Sequence, residues 1–185
     1  PQRRTGLYFF AQFMAGGTAN AFAGIWFSQQ GLTENQIGMM NSIPIAVLLA
    51  FNIFVGRLAD RASDWRQVIV WGAMVSGITS IGLFWATGFV PILVAFAITS
   101  IAQAMIVPVA DAAGLHLMTK TGGSLGAMRG LSTVGYMFGL LVSGFLIGKY
   151  GPWLFLPLFV GFSLLRTCGA FMLPLFKLGM TKQAN

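Results

Sequence analysis

The sequence predicts an all-α membrane protein of six transmembrane helices, on three observations. Hydrophobic residues make up 56% of the 185 positions and charged residues 8%, with a mean hydropathy of +0.78, more apolar surface than a soluble domain could cover. Six apolar runs each reach the ~18 residues that a helix needs to cross a hydrocarbon core. Basic residues gather between the runs on alternate turns. Alternating ~10-residue strand patterns are missing, which argues against a β-barrel.

Span 1, Thr5–Ser28, places Gln12, Gly16, Asn20 and Gly24 four residues apart, on one slowly drifting helical face. Span 2, Ile37–Gly56, holds Asn41 and Asn52, whose 11-residue separation puts them on a shared face. These amides, with Gln103, read first as interhelical hydrogen-bond glue. Span 3 is Gln67–Ala86. Span 4, Pro91–Met118, carries Gln103 and Asp111, with Pro108 about one turn before the acid. A proline there frees a carbonyl and favours a kink, which is tolerable where neighbours or water satisfy it.

Span 5, Leu125–Gly148, sets Arg129, Ser132, Thr133 and Tyr136 at i, i+3, i+4 and i+7, one polar and aromatic stripe. Gly135 with Gly139, and Gly144 with Gly148, add small-xxx-small spacings that favour close helix approach. Span 6, Pro152–Phe176, contains Arg166, 11 residues before Lys177. That is roughly 16 Å from the end of the span, too deep to snorkel easily. The runs divide the chain into repeats of about 1–86 and 87–185 within a single domain, an arrangement expected of two inverted three-helix repeats.

The net charge of +7 has a topological explanation. Arg3, Arg4, Arg57, Arg61, Arg66, Lys120, Arg129, Lys177 and Lys182 all fall on one side when six helices are threaded in order. The other side has Glu34 and, as its one basic residue, Lys149. The positive-inside rule therefore places both termini in the cytoplasm. No Arg-rich stretch is interleaved with stacking aromatics, so no nucleic-acid partner is expected. Cys168 is alone and inside a span, which leaves neither a disulfide framework nor a cysteine metal site, and no metal or cofactor is expected. Span 1 is too long for a cleaved signal peptide. The chain starts at Pro1 and stops soon after span 6, as part of a longer protein would.

Asp111 and Arg129 lie symmetrically about Lys120, in the polar connector from Met118 to Ser124. In an antiparallel hairpin the two side chains share one depth, roughly 13 Å from the turn (about nine residues at ~1.5 Å each). Ionisable groups there are costly and usually face a bundle interior or a watery pathway, so the pair is the leading functional site. The four acids are Glu34, Asp60, Asp64 and Asp111. If Asp111 pairs with Arg129, Arg166 is left without an acidic partner and becomes a second candidate for an anionic ligand. The competing reading is a buried salt bridge that only fixes helix register. His116 reads as a helix-end residue near the cytoplasmic interface, with proton handling as the alternative.

Between spans 2 and 3 the chain reads Gly56, Arg57, Leu58, Ala59, Asp60, Arg61, Ala62, Ser63, Asp64, Trp65, Arg66. This resembles the signature of the major facilitator superfamily at the same place, although Ala62 and Ser63 replace its second glycine region and Asp64 with Trp65 interrupts the basic run. The resemblance implies a gating role for Gly56, Asp60 and Arg61. Pro108, Val109, Ala110 and Asp111, followed by Arg129 and then Gly135 and Tyr136, resemble the lactose permease and phenylpropionate permease branch. By that resemblance Asp111 orients Arg129, Arg129 donates a fork of hydrogen bonds, and Tyr136 stacks on a ring. Asp111 and Tyr136 stand where the sugar permeases have Glu and Trp, which weighs against a galactoside.

The resemblance covers six of the family's usual twelve helices. It implies a C-terminal six-helix half as partner, a bacterial-type inner membrane, and proton-coupled symport of a small organic solute by alternating access. An aromatic carboxylate is favoured, then a sugar or nucleoside, with Asp111, Arg129, Tyr136, Asn20, Gln103 and Arg166 as substrate-binding residues. One alternative is a non-transporting scaffold or receptor, which accounts for the glycines but not for a depth-matched acid and arginine. A remote one is an intramembrane serine protease, because Gly122, Ser124 and Gly126 match G-x-S-x-G. That motif has meaning on a strand-turn-helix, however, and here it is a polar turn between helices. No enzyme activity is expected.

Overall fold

The computed structural model describes residues 2–61 and 64–174, apart from the side chains of 51–61 and of Leu125. Regular structure among them is helical: α1 (Gln2–Gln29), α2 (Glu34–Arg61), α3 (Trp65–Gly82), α4 (Phe89–Thr121), α5 (Leu125–Tyr150) and α6 (Phe155–Phe171). Each predicted span has its helix, with shifted ends. α2 continues beyond Gly56 to Arg61, so the segment read as a loop is partly helical. α6 opens after a single tight turn at Pro152–Leu154 and stops at Phe171 rather than Phe176. Pro174 explains the early stop, since a proline disfavours helical geometry at the residue before it and offers no amide of its own.

Local chemistry sets the remaining ends. Asp64 caps α3 by accepting the Arg66 amide at 2.9 Å. Ser124 caps α5 by accepting the Ala127 amide at 3.3 Å. Gly122, at φ +69°, takes the left-handed conformation that closes α4, and the Gly123 amide returns to the Met118 carbonyl at 3.1 Å. The serine of the G-x-S-x-G match is thus a helix cap in a glycine turn.

Among the described residues, three segments are long and apolar enough by composition to cross a membrane: Phe89–Thr121, Gly126–Tyr150 and Pro152–Phe171. α1 is more polar, and packing compensates. It lies between α5 and α6, where Gln12 and Thr18 are buried by protein. Passing from neighbour to neighbour, the helices run α5, α1, α6, α3, α4, α2. The expected α4–α5 hairpin is therefore not a packed pair. Each arm is held by a different helix and the two touch only sparingly.

Two buried clusters fill the bundle. One is aromatic, with Phe155 stacked on Phe159 at 5.6 Å and Phe27 edge-on to Phe96 at 5.0 Å. The other joins Tyr8 and Phe9 to Ile69, Ile106, Ala113 and Met128.

The seam between α1 and α5 brings backbone against backbone. A Cβ at Gly135 would strike the Phe10 carbonyl, one at Gly139 the Met14 carbonyl, and one at Gly17 the Tyr136 carbonyl. Thr18 Oγ1 and Ser143 Oγ are 2.7 Å apart, and Thr18 Oγ1 also reaches the Gly139 carbonyl at 3.3 Å. Small residues permit this approach in a medium where apolar surface alone drives no association between helices. Gly24, by contrast, has no heavy atom within 4 Å of an added Cβ. Gly139→Leu is expected to cost about 1–3 kcal/mol or more through overpacking, while Gly24→Ala leaves stability unchanged or slightly raised. Thermal unfolding in detergent measures both.

Candidate functional site

Because α4 and α5 splay apart, a cavity of about 360 Å³ opens among α1, α2, α4, α5 and α6, in the size range of a small-molecule site. α4 contributes one face, Phe96, Ser100, Gln103, Ala104 and Val107, at helical spacing. α1 contributes Phe13, Gly16 and Asn20; α2 contributes Met40, Asn41 and Pro44; Tyr136 enters from α5 and Phe159 from α6. Amides, one phenol and several rings face a common space, and no charged side chain lines it.

Of the residues singled out in the sequence, Asn20, Gln103 and Tyr136 meet at this cavity. Asn20 Nδ2 points to Tyr136 Oη at 3.5 Å, so α1 and α5 are linked across the wall. Asp111 and Arg129 also meet, with Arg129 Nη2 donating to Asp111 Oδ2 at 2.8 Å. They lie next to the cavity rather than in its lining. Asp111 is one turn beyond Val107 on α4, and Arg129 is two turns before Tyr136 on α5. The arginine side chain is 63% exposed and the aspartate 29%, so the pair is not sealed in a core. A guanidinium has five N–H donors, and Nη2 of the exposed Arg129 side chain supplies the one bonded to Asp111.

Two expected placements differ in the structure. Arg166 lies apart from the cavity, fully buried where α6 meets α1 and α3, and its Nη2 donates to Ser76 Oγ at 2.6 Å. The reason is depth along one face: Phe159, two turns earlier on the same face of α6, reaches the cavity, whereas at the level of Arg166 that face meets Ser76 of α3 and, one turn on, Tyr8 of α1. The stripe on α5 also divides. Ser132 is buried, and the Thr133 hydroxyl bonds back to the Arg129 carbonyl at 3.3 Å, leaving Arg129 and Tyr136 as its functional ends. His116 packs edge-on against Trp65, with ring centroids 5.9 Å apart. The gating residues Gly56, Asp60 and Arg61, like Asn52, fall on the stretch of α2 whose side chains lie outside the described residues.

Asn41, read as packing glue, lines the cavity and donates to the Ile37 carbonyl of its own helix at 3.2 Å. Ser100 and Phe96 were missed. Stepping back from Asp111 by fours and threes along α4 through Val107, Gln103 and Ser100 would have found this face. Among the described residues no group of His, Cys, Asp or Glu could hold a metal ion.

A family model described as "MFS_1 like family" matches residues 3–184. The chain is also 22% identical, over 147 residues, to a protein of Bacillus subtilis (strain 168) named "Uncharacterized transporter YwbF". That alignment covers 80% of this chain and 37% of the relative, so the chain spans well under half the relative's length. No solved structure matches.

An exposed ion pair contributes little to folding compared with one sealed in a core. Asp111→Asn and Arg129→Gln, singly and together, are expected to give a coupling of about 1 kcal/mol or less in a double-mutant cycle of thermal stability. A coupling of several kcal/mol would restore the register-fixing salt bridge.

Proposed function

Because the chain belongs to the MFS_1 like family, we propose that it forms part of a secondary transporter that moves a small organic solute through this cavity by alternating access. The observation that carries the reading is the cavity itself, walled by Asn20, Gln103 and Tyr136, with an exposed ion pair beside it. The name of the Bacillus relative supports transport, and a non-enzymatic role follows from it. Much of that relative lies beyond the matched region, consistent with a further six-helix half that closes the other side.

Helix pairing supports inverted repeats. Exchanging α1, α2 and α3 with α4, α5 and α6 turns the α1–α5 contact into α4–α2 and the α1–α6 contact into α4–α3, and leaves α3–α6 unchanged. All of these contacts are present. The distribution of basic residues supports cytoplasmic termini, and a bacterial-type inner membrane completes the proposal.

In this reading the substrate competes for the hydrogen-bonding capacity of Arg129 and Asp111, Tyr136 stacks on a ring, and Asn20 and Gln103 bind hydroxyl or amide groups. The preference for an aromatic carboxylate weakens, because it leaned on Arg166 as a spare cation. The remaining Arg129 charge is already balanced by Asp111. An uncharged, ring-bearing solute rich in hydroxyls, such as a sugar or nucleoside, suits the lining better. Proton coupling is proposed through Asp111, the one acid among the described residues that lies within a span.

Uptake driven by a proton gradient, measured in vesicles with the full-length natural protein, tests this against sugars, nucleosides and aromatic acids. One class is expected to accumulate, with loss in Asp111→Asn. Arg129→Lys keeps charge but removes the planar fork, and an uptake drop of about tenfold or more is expected. No gradient-dependent uptake of any class by folded, inserted protein would favour the scaffold or receptor.

A further inference from the structure

Arg166 is a cation retained inside a helical bundle at 0% exposure, with one hydrogen bond to show for it. Its Nε and Nη1 find no partner in the structure, nor does the Ser163 hydroxyl one turn away. Such an arrangement is costly, and packing alone would be served as well by an apolar side chain of similar volume. What the one bond accomplishes therefore matters.

Ser76 Oγ accepts from Arg166 Nη2, and this turns the hydroxyl's single proton away from the guanidinium. The proton goes to the Thr99 carbonyl of α4, at 3.1 Å. A charged donor also polarises the hydroxyl and strengthens the bond that it makes in turn. Other hydroxyls in this bundle, such as those of Ser42 and Thr121, bond to their own helix four residues back. Without Arg166, Ser76 has the same local alternative.

A second buried chain runs parallel to the first. Tyr8 Oη donates to Gln12 Oε1 at 3.1 Å, and Gln12 Nε2 donates to the Gln103 carbonyl at 3.4 Å. Tyr8 packs along α6 beside Gly169, one turn from Arg166. The two chains reach carbonyls four residues apart on α4. Between and at those points are Ser100 and Gln103, both cavity-lining. Just beyond, Pro108 removes the amide that would bond to the Ala104 carbonyl, so α4 is intrinsically weaker from there on.

We infer that Arg166 is a positioning residue of the cavity: through Ser76 it clamps α4 at Thr99 while Tyr8 and Gln12 clamp it at Gln103, making Ser100 and Gln103 a fixed wall on one side of the Pro108 break. The inference rests on the cavity's being the transport site, and it gives Arg166 a task without substrate contact. The far side of the break is tethered differently, by Asp111 to α5. α4 is thus anchored to α1 and α3 before Pro108 and to the exposed ion pair after it.

The test reads the wall and needs no substrate. In the full-length protein carrying Cys168→Ser, on a background free of other reactive cysteines, Ser100→Cys reports the α4 wall and Asn20→Cys reports the α1 wall. Labelling by N-ethylmaleimide is timed in membranes. Arg166→Met and Ser76→Ala are each expected to change the Ser100→Cys rate about fivefold or more, the population shift that one buried hydrogen bond controls. Asn20→Cys is expected to stay constant, and Arg166→Lys to bring the Ser100→Cys rate back towards the parent value.

An unchanged Ser100→Cys rate in both variants overturns the inference. A parallel change at Asn20→Cys also overturns it, because the bundle has then merely loosened, as does an Arg166→Lys protein no better than Arg166→Met. Should Arg166→Met fail to fold, Ser76→Ala decides alone. A protein that transports nothing yet shows the expected labelling refutes the transport proposal and leaves the positioning role standing.

Discussion

The close contact of α1 with α5 is the constraint on which the rest of the architecture depends. Gly135 and Gly139 let two helix backbones touch at Phe10 and Met14, and Gly17 does the same from the other side at Tyr136. Dispersion over a long seam and the Thr18–Ser143 hydrogen bond then hold the pair without help from the hydrophobic effect. With α5 committed to α1, it touches α4, its neighbour in sequence, only sparingly. α4 turns instead to α3 and α2. The space between the two arms is the cavity, and Asp111 and Arg129 reach towards each other at its edge because their helices stand apart.

Polar groups in the bundle are satisfied in three physically different ways. Most hydroxyls bond to their own helix, as Ser42 does to Gly38, which costs no partner and carries no specificity. A smaller set crosses between helices: Ser76 to Thr99, Thr167 to Ala73, and Gln12 to Gln103. These fix relative position, since each bond forms at one registration of two helices only. The third set, Asn20, Asn41, Gln103, Tyr136 and the ion pair, faces open space. Donors and acceptors left there have no protein competitor, which suits the solute binding proposed for this cavity. Arg166 belongs with the second set, although its charge alone suggested the third.

Depth from a turn was legible in the sequence, and what each helix face packs against at that depth largely was not. Asp111 and Arg129 could be matched because both are counted from one turn, and that count survives any splaying of the arms. Asn20, Gln103 and Tyr136 stood out as polar or aromatic interruptions in apolar runs. Arg166 was misplaced, and Asn41 was taken for packing glue, for a common reason. A residue's face is defined only against its neighbours, and the neighbours of α6 and α2 are α3, α1 and α4, none adjacent to them in the chain except α1 to α2.

By itself the sequence determined that the chain is a bundle of membrane helices, roughly where each one runs, which turns hold them, and that an acid and an arginine share a depth. Those follow from hydropathy, capping and residue counting, all properties of short stretches of chain. Only the tertiary structure decided that α1 inserts beside α5, that the α4–α5 hairpin opens into a cavity, and that one buried arginine works through a serine. Those depend on which backbones can approach closely, and glycines far apart in the sequence settle that only when the helices meet.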